Sequence, residues 1–132
     1  MASELRILLA DDHPAMRVLL RDIVETIPDW QVCGEARDGE EAIASARALL
    51  PDVIVMDLMM PRRNGLEAAR EITAFAPGTR VLITTLYDFR GLVDEAKKVG
   101  ARGCFLKSES HQHLVPAVEA TANRDNFYAE RG

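Results

Sequence analysis

The chain predicts a single α/β domain built as a doubly wound, five-stranded parallel sheet with five helices. Three observations lead there. Short apolar runs alternate with stretches of 3.6-residue periodicity, which is the signature of strands separated by crossover helices. At 132 residues the chain has one domain's length. Hydrophobic residues make up 48% and charged residues 28%, a globular rather than a disordered balance. Right-handed crossovers leave few topologies at this length, and the flavodoxin-like strand order 2-1-3-4-5 is the natural one.

Each element follows in order from the residues. The buried strands are read at 5–10, 31–35, 52–57, 80–85 and 102–106. The first helix, about 13–26, opens on Pro14, which suits a first turn, and lines Met16, Leu19, Leu20, Ile23 and Ile27 along one face. The second opens at Asp38, an N-cap with Glu41 placed to reach back, and carries Ala42, Ile43, Ala46, Leu49 and Leu50 before Pro51 stops it. The third runs from about Leu66 to Phe75 and ends at Pro77-Gly78. The fourth starts near Asp88, buries Leu92, Val93, Ala96 and Val99, and stops at Gly100. The fifth starts near Ser110 with Leu114, Val115, Val118 and Ala122, and Pro116 inside it removes an amide bond and predicts a kink. The domain is expected over residues 1–122, with 123–132 as a polar tail, helix extension or the start of a linker.

Composition narrows the function classes. Sixteen basic against 21 acidic residues give a formal charge of −5, which disfavours a polyanion-binding surface and hence direct nucleic-acid binding. No apolar run approaches the ~18 residues a membrane span needs, and the N-terminus lacks a signal-peptide pattern, so the expectation is a cytoplasmic protein without membrane contact. Cys33 and Cys104 fall on the second and fifth strands, the opposite edges of the expected sheet. They are several strand spacings of ~4.8 Å apart and read as small buried hydrophobes.

Ligand sites in such sheets lie beyond the carboxyl ends of the strands, at the switch point. Strand one ends in Ala10-Asp11-Asp12, strand three in Met56-Asp57, strand four in Thr84-Thr85 and strand five in Leu106-Lys107. Three carboxylates therefore converge beside a hydroxyl and an ammonium. Crowded carboxylates repel and should recruit a hard cation, and Mg²⁺ fits a few carboxylates plus waters and phosphate oxygens. An Asp on such a metal beside a Lys is a phosphoryl acceptor in waiting. Asp11-Asp12 alone would read as a helix cap; four strand ends acting together do not.

Over residues 4–122 the chain resembles the receiver domains of bacterial two-component response regulators. The stretches that carry the resemblance are Arg6-Ile7-Leu8-Leu9-Ala10-Asp11-Asp12-His13, Pro51 through Pro61 around Asp57, Asn64-Gly65-Leu66, Val81 to Thr85, and Gly100-Ala101-Arg102-Gly103 leading to Lys107. From Arg80 to Ser108 it is most similar to receivers that carry LuxR-type helix-turn-helix output domains. The resemblance implies that Asp57 accepts a phosphoryl group from a sensor histidine kinase and that the domain switches an output, with a homodimer on phosphorylation. It implies Mg²⁺ on the side chains of Asp12 and Asp57 and the Met59 carbonyl, with Asp11 holding a metal-bound water. Lys107 would contact Asp57 and the phosphoryl oxygens. Thr85 would be the switch hydroxyl, since Thr84 alternates to the other face. Such a protein is a switch rather than a turnover enzyme.

Two departures stand out. The switch aromatic usual three residues before the strand-five Lys is here Cys104, and Phe105, one residue out of phase, should sit in the core. The proline often found after that Lys is here Ser108, so a trans bond is expected. His111 and His113 read as exposed first-turn residues, His13 as lying beside the pocket mouth, Arg62-Arg63 as a solvated turn and Trp30 as structural. Met59 and Tyr87, two residues after the acceptor and after the switch hydroxyl, offer no group to orient an attacking water. A phosphohydrolase working through an aspartyl phosphate is the alternative reading, weakened because Met59 stands where a second acid would act. A flavodoxin-like cofactor binder is disfavoured because the first strand-helix turn is Asp-Asp-His-Pro, poor in phosphate-cradling donors.

Overall fold

The computed structural model describes residues 4–87 and 91–129. Its elements run β1 (Leu5–Ala10), α1 (Pro14–Glu25), β2 (Trp30–Ala36), α2 (Gly39–Leu49), β3 (Val53–Asp57), α3 (Gly65–Phe75), β4 (Arg80–Thr85), α4 (Leu92–Lys98), β5 (Gly103–Leu106), a 3₁₀ turn (Lys107–Glu109), α5 (Ser110–Ala122) and β6 (Phe127–Tyr128). All strand pairs are parallel, and the sheet order is β2-β1-β3-β4-β5-β6. The doubly wound α/β fold and its 2-1-3-4-5 core are therefore as the sequence predicts, with one strand more.

Strand alternation divides the core in two. Leu8, Ile54, Met56, Val81, Ile83 and Cys104 face α2, α3 and α4, while Ile7, Leu9, Val53, Val55, Leu82 and Phe105 face α1 and α5. Each fully buried Leu, Ile or Val contributes about 1.5–3 kcal/mol relative to exposure, so a one-residue slip of any inner strand would be prohibitive. Phe105 is 1% exposed on the α5 side and Cys104 equally buried on the α4 side. That is the arrangement expected from their one-residue offset. Cys33 and Cys104 form no disulfide, and partial burial raises the pKa of Cys33.

Several local expectations change. The inner face of α1 is Leu20 and Val24, with Met16 and Ile23 packed beside them; Val24 was not in the predicted stripe. Leu50 is not core: it is the left-handed C-cap of α2, with φ 44° and 61% exposure. The chain must turn there toward Pro51, and a cap in that conformation is expelled from the helix face. Asp38 caps α2 through Glu41 N–H at 2.8 Å, but Glu41 reaches back to the amide of Arg37. Helix α5 runs on through an exposed Pro116, and Thr121 rather than Ala122 is buried at its end. The expected onset of the fourth helix at Asp88 lies outside the described residues. No peptide bond among the described residues is cis.

Within the stretch expected as a polar tail, helix extension or start of a linker, residues 127–129 pair with the outer edge of β5. The amide of Phe127 donates to the Arg102 carbonyl at 2.9 Å and that of Ala129 to the Cys104 carbonyl at 3.0 Å. Tyr128 packs into the α4-side core and its hydroxyl donates to the Ala101 carbonyl at 2.7 Å. Burial raises the pKa of that hydroxyl. Phe127 and Phe105 close around His113, with ring centroids 5.5 and 6.4 Å from the imidazole. His113 is therefore half-buried packing rather than the exposed residue expected, because β6 covers it; His111 is exposed.

Gly103 makes the sixth strand compatible with the fifth. A Cβ there would stand 2.1 Å from the Phe127 carbonyl oxygen and 2.9 Å from Leu82 Cδ2. Gly103→Ala should lower unfolding stability by about 1–3 kcal/mol through that overlap and strip hydrogen-exchange protection from the Ala129 amide. Gly78→Ala is the control, because nothing lies within 4 Å of its Cβ position; it should leave both readouts unchanged or slightly improved. Equal behaviour of the two variants in denaturant melts and exchange would show that β6 does not depend on Gly103.

Candidate functional site

The chemistry collects where β1, β3 and β5 end. The amide of Asp11 extends the β1–β2 ladder by one residue, donating to the Ala36 carbonyl at 3.0 Å. Its carboxylate then accepts the His13 amide at 2.9 Å, and its carbonyl accepts Arg17 Nη1 at 2.6 Å. These bonds turn the chain into α1, whose first residue is Pro14, and hold Asp11 inward at 1% exposure. Asp12 stays partly open at 32%.

Asp57 is the last residue of β3, and the backbone after it is held by three contacts. The amide of Leu58 donates to the Thr84 carbonyl at 2.8 Å, the amide of Met59 to Asp57 Oδ1 at 3.2 Å, and the amide of Gly65 to the Leu58 carbonyl at 2.8 Å. A Cβ on Gly65 would stand 2.4 Å from the Asp57 carbonyl oxygen and 2.9 Å from Leu58 Cα. Only glycine lets the first turn of α3 press against Asp57 this closely. Asn64 and Glu67 cap that turn reciprocally, a pair that sequence reasoning missed although its spacing marks a helix start.

Lys107 begins the turn after β5, where Ser110 Oγ donates to its carbonyl at 2.7 Å. Its ammonium, 3% exposed, lies 2.7 Å from Asp11 Oδ2 and 2.9 Å from Asp57 Oδ2. Two buried carboxylates thus bracket one buried ammonium, and Asp12 joins them in the same acidic group. Burial raises the pKa of Asp57, the neighbouring Asp11 charge adds to this, and attraction to Lys107 only partly offsets them. Burial alone would lower the pKa of Lys107, but its bonds to Asp11 and Asp57 outweigh that and raise it.

Not every predicted residue joins the cluster. Thr84 and Thr85 are both buried at the end of β4. Thr85 Oγ1 donates to the Tyr87 carbonyl and accepts the Tyr87 amide, each at 3.3 Å. Thr84, on the opposite face, pairs across the ladder with Asp57, and its hydroxyl has no hydrogen-bond partner among the described residues. Met59 takes part through its backbone, its side chain being 67% exposed, while Tyr87 is 73% exposed.

His13 is the residue that sequence reasoning placed at the mouth without a partner, and it has three. Its Nδ1 lies 3.1 Å from Asp11 Oδ1, 3.3 Å from Asp12 Oδ1 and 3.5 Å from Lys107 Nζ. One ligand atom from each of Asp11, Asp12, His13 and Asp57 falls within 4.8 Å of the others. Its position directly after Asp12 was the available signal; the turn that folds its ring back over Asp11 is a tertiary outcome. The oxygen-rich, net-negative set fits a divalent cation, because two of the carboxylates are withdrawn from water with a single ammonium between them.

The sequence matches the response regulator receiver domain family over residues 7–119. It is 38% identical over 125 residues to the transcriptional regulatory protein YxjL of Bacillus subtilis, covering 95% of this chain and 57% of that protein. It is 34% identical over 113 residues to the chemotaxis protein CheY of Thermotoga maritima, covering 86% and 93%. A LuxR-family two-component response regulator from Aurantimonas has the same architecture at TM-score 0.89 and 37% identity, covering 95% of this chain and 89% of that one. The receiver domain of the NarL regulator of Mycobacterium tuberculosis superposes at TM-score 0.87 with 32% identity, covering 92% and 98%. The chain spans about half the length of the transcriptional regulators it matches, including YxjL at 57% and DegU of Brevibacillus brevis at 51%. Among the described residues no helix is long and apolar enough to cross a membrane. A parallel sheet in this order, with an acidic cluster and a buried lysine at its strand ends, and a family match over most of its length, make this chain a member of the response regulator receiver domain family of two-component systems.

Proposed function

We propose that Asp57 is the phosphoryl acceptor and that the donor is a phosphohistidine on a sensor kinase. The observation that carries this is the pairing of Asp57 with Lys107 at 2.9 Å in a pocket where both are nearly sealed from water. A carboxylate oxygen of Asp57 forms the new O–P bond as the donor's N–P bond breaks, and the donor imidazole leaves with the electron pair. Lys107 balances charge on Asp57 before transfer and on the phosphoryl oxygens after it. Asp12, Asp57 and the Met59 carbonyl would hold Mg²⁺ directly, with Asp11 holding one of its waters; the ion's contribution is to neutralise phosphate charge. Thr85 is the hydroxyl that senses the phosphoryl group, at the end of β4 on the α4 side. With Cys104 in place of the usual aromatic, its message passes through the Tyr87 backbone it already bonds.

The same reading makes the domain a cytoplasmic switch rather than a turnover enzyme, acting on a transcriptional output as its relatives' names suggest, with dimerisation on phosphorylation and no nucleic-acid contact of its own. The phosphohydrolase alternative gains no support, since the position after Leu58 is an exposed methionine.

Incubation with Mg²⁺ and acetyl phosphate should add one acid-labile phosphoryl group, seen by intact mass, and Asp57→Asn should stay unmodified. Labelling of that variant at the parent's rate would remove Asp57 from the role.

The electrostatics give a second expectation. Because the folded-state pKa of Asp57 is raised, the native protein holds that proton to higher pH than the unfolded chain does. Stability is therefore lost as pH rises from the unfolded value of about 3.9 through the raised folded one. In metal-free buffer Asp57→Asn should gain on the parent across that window and stay at least as stable at pH 7. Mg²⁺ at a hundred times its dissociation constant should stabilise the parent by about 2.7 kcal/mol and Asp12→Ala far less. Thermal melts with and without Mg²⁺ decide both points; equal shifts in parent and Asp12→Ala would take Asp12 out of the ligand set.

Signal lifetime is the third. Met59 and Tyr87, two residues after the acceptor and after the switch hydroxyl, carry no carboxylate or amide to orient the hydrolytic water, a loss of roughly 1.4–2.8 kcal/mol of catalysis, or ten- to a hundredfold in rate. Phosphorylated Met59→Asn, Tyr87→Glu protein should therefore decay faster than the parent when followed by mass spectrometry. An unchanged or slower decay would show that these side chains do not govern water.

A further inference from the structure

We infer that His13 is a ligand of the divalent cation, so that this site mixes imidazole nitrogen with carboxylate oxygen and selects for nitrogen-accepting ions such as Co²⁺ in addition to Mg²⁺. The inference rests on the cation site proposed above and adds a residue to it.

The geometry points to the imidazole. Two ligands at right angles on an ion with bonds of about 2.1 Å stand about 3.0 Å apart. His13 Nδ1 stands 3.3 Å from Asp12 Oδ1, so an ion held by Asp12 can take the imidazole as a neighbouring ligand after a shift of a few tenths of an ångström, with Asp11 Oδ1, 3.1 Å from Nδ1, beside it for a bound water. The ring is held there from its own backbone. The His13 amide donates to Asp11 Oδ1, and the His13 carbonyl accepts the amides of Met16 and Arg17 at 3.1 and 3.2 Å. His13 is the N-cap residue of α1, yet its side chain makes no capping bond and turns to the carboxylates instead. Asp12 Oδ1, which faces the imidazole nitrogen at 3.3 Å, is a buried atom that makes no hydrogen bond among the described residues. A cation shared with Nδ1 supplies what that oxygen lacks. The side chain is also 57% exposed, so an entering ion reaches it from solvent, ahead of the sealed pair Asp11 and Asp57.

Ligand chemistry then sets the preference. Imidazole adds little for Mg²⁺, which favours oxygen and keeps its waters, but adds affinity for Co²⁺ and Ni²⁺, which rank above Mn²⁺ at nitrogen-containing sites. The other two histidines, His111 and His113, are on α5 and outside this group.

Titration calorimetry of the full chain with Co²⁺ and with Mg²⁺, on the parent, His13→Ala and Asp12→Ala, tests this directly. Proton NMR of the Co²⁺-loaded protein reports whether an imidazole is bound, through strongly shifted ring resonances. The parent should show such a resonance and His13→Ala should lack it. His13→Ala should bind Co²⁺ about tenfold more weakly while its Mg²⁺ affinity changes less than about threefold. A parent that binds Co²⁺ without a shifted imidazole resonance, or a His13→Ala that binds Co²⁺ as tightly as the parent, overturns the ligand assignment and leaves the carboxylate site standing. Loss of both ions in Asp12→Ala with no effect of His13→Ala likewise removes the imidazole from the ligand set. A parent that binds neither ion overturns the imidazole assignment together with the cation site it extends.

Discussion

One ammonium between two buried carboxylates is the constraint on which the rest of the site depends. Lys107 lies 2.7 Å from Asp11 and 2.9 Å from Asp57, and all three side chains are at most 3% exposed. Removing the lysine would leave two uncompensated charges out of water, a loss of about 3–5 kcal/mol by analogy with broken buried pairs. Keeping it does not neutralise the cluster, because Asp12 adds a third negative charge at the rim. The site is therefore held together and under-compensated at once. That is the condition a receiver needs if a cation and then a phosphoryl group are to enter with a net electrostatic gain.

The backbone arrangement that makes this pairing possible comes from three separate connections. Asp11 is fixed by the end of the β1–β2 ladder, Asp57 by the amides of Leu58, Met59 and Gly65 around it, and Lys107 by the 3₁₀ turn leading into α5. Apart from the Met59 amide, which donates to Asp57 Oδ1, these contacts lie in the backbone and not at the reacting side chains. Each converts a strand end, which would otherwise fray, into a point where a side chain has one direction. Gly65 shows how tight the fit is, since even a methyl group would overlap the Asp57 carbonyl.

The far side of the sheet carries the main structural departure. β6 covers the outer edge of β5, places Tyr128 beside Cys104 and closes Phe127 over His113. A free β5 edge would present unpaired amides and carbonyls; here two backbone bonds and the Tyr128 hydroxyl satisfy part of that edge. The position of the missing switch aromatic is thus next to an aromatic side chain that arrives from the C-terminal end of the chain. Its hydroxyl points to Ala101, at the end of β5 remote from Asp57, so it serves as packing and edge cover.

What the sequence determined by itself was periodicity and chemistry. Alternating strands and helices, the order of the core sheet, the two faces of Cys104 and Phe105, and the convergence of Asp11, Asp12, Asp57 and Lys107 all follow from local patterns and from the rule that such sheets bind at their carboxyl ends. The tertiary structure decided what depends on approach between segments distant in sequence or on the turn of a single backbone. β6 was illegible because a polar ten-residue tail carries no periodicity, and its two strand residues pair only because Gly103 leaves room for them. The burial of His113 follows from that strand, and the exposure of Leu50 from a left-handed cap. His13 is the sharpest case. Its neighbour Asp12 was visible in the sequence, but whether an imidazole faces solvent or a carboxylate depends on one turn of backbone, and the Asp11 carboxylate sets that turn by accepting the His13 amide.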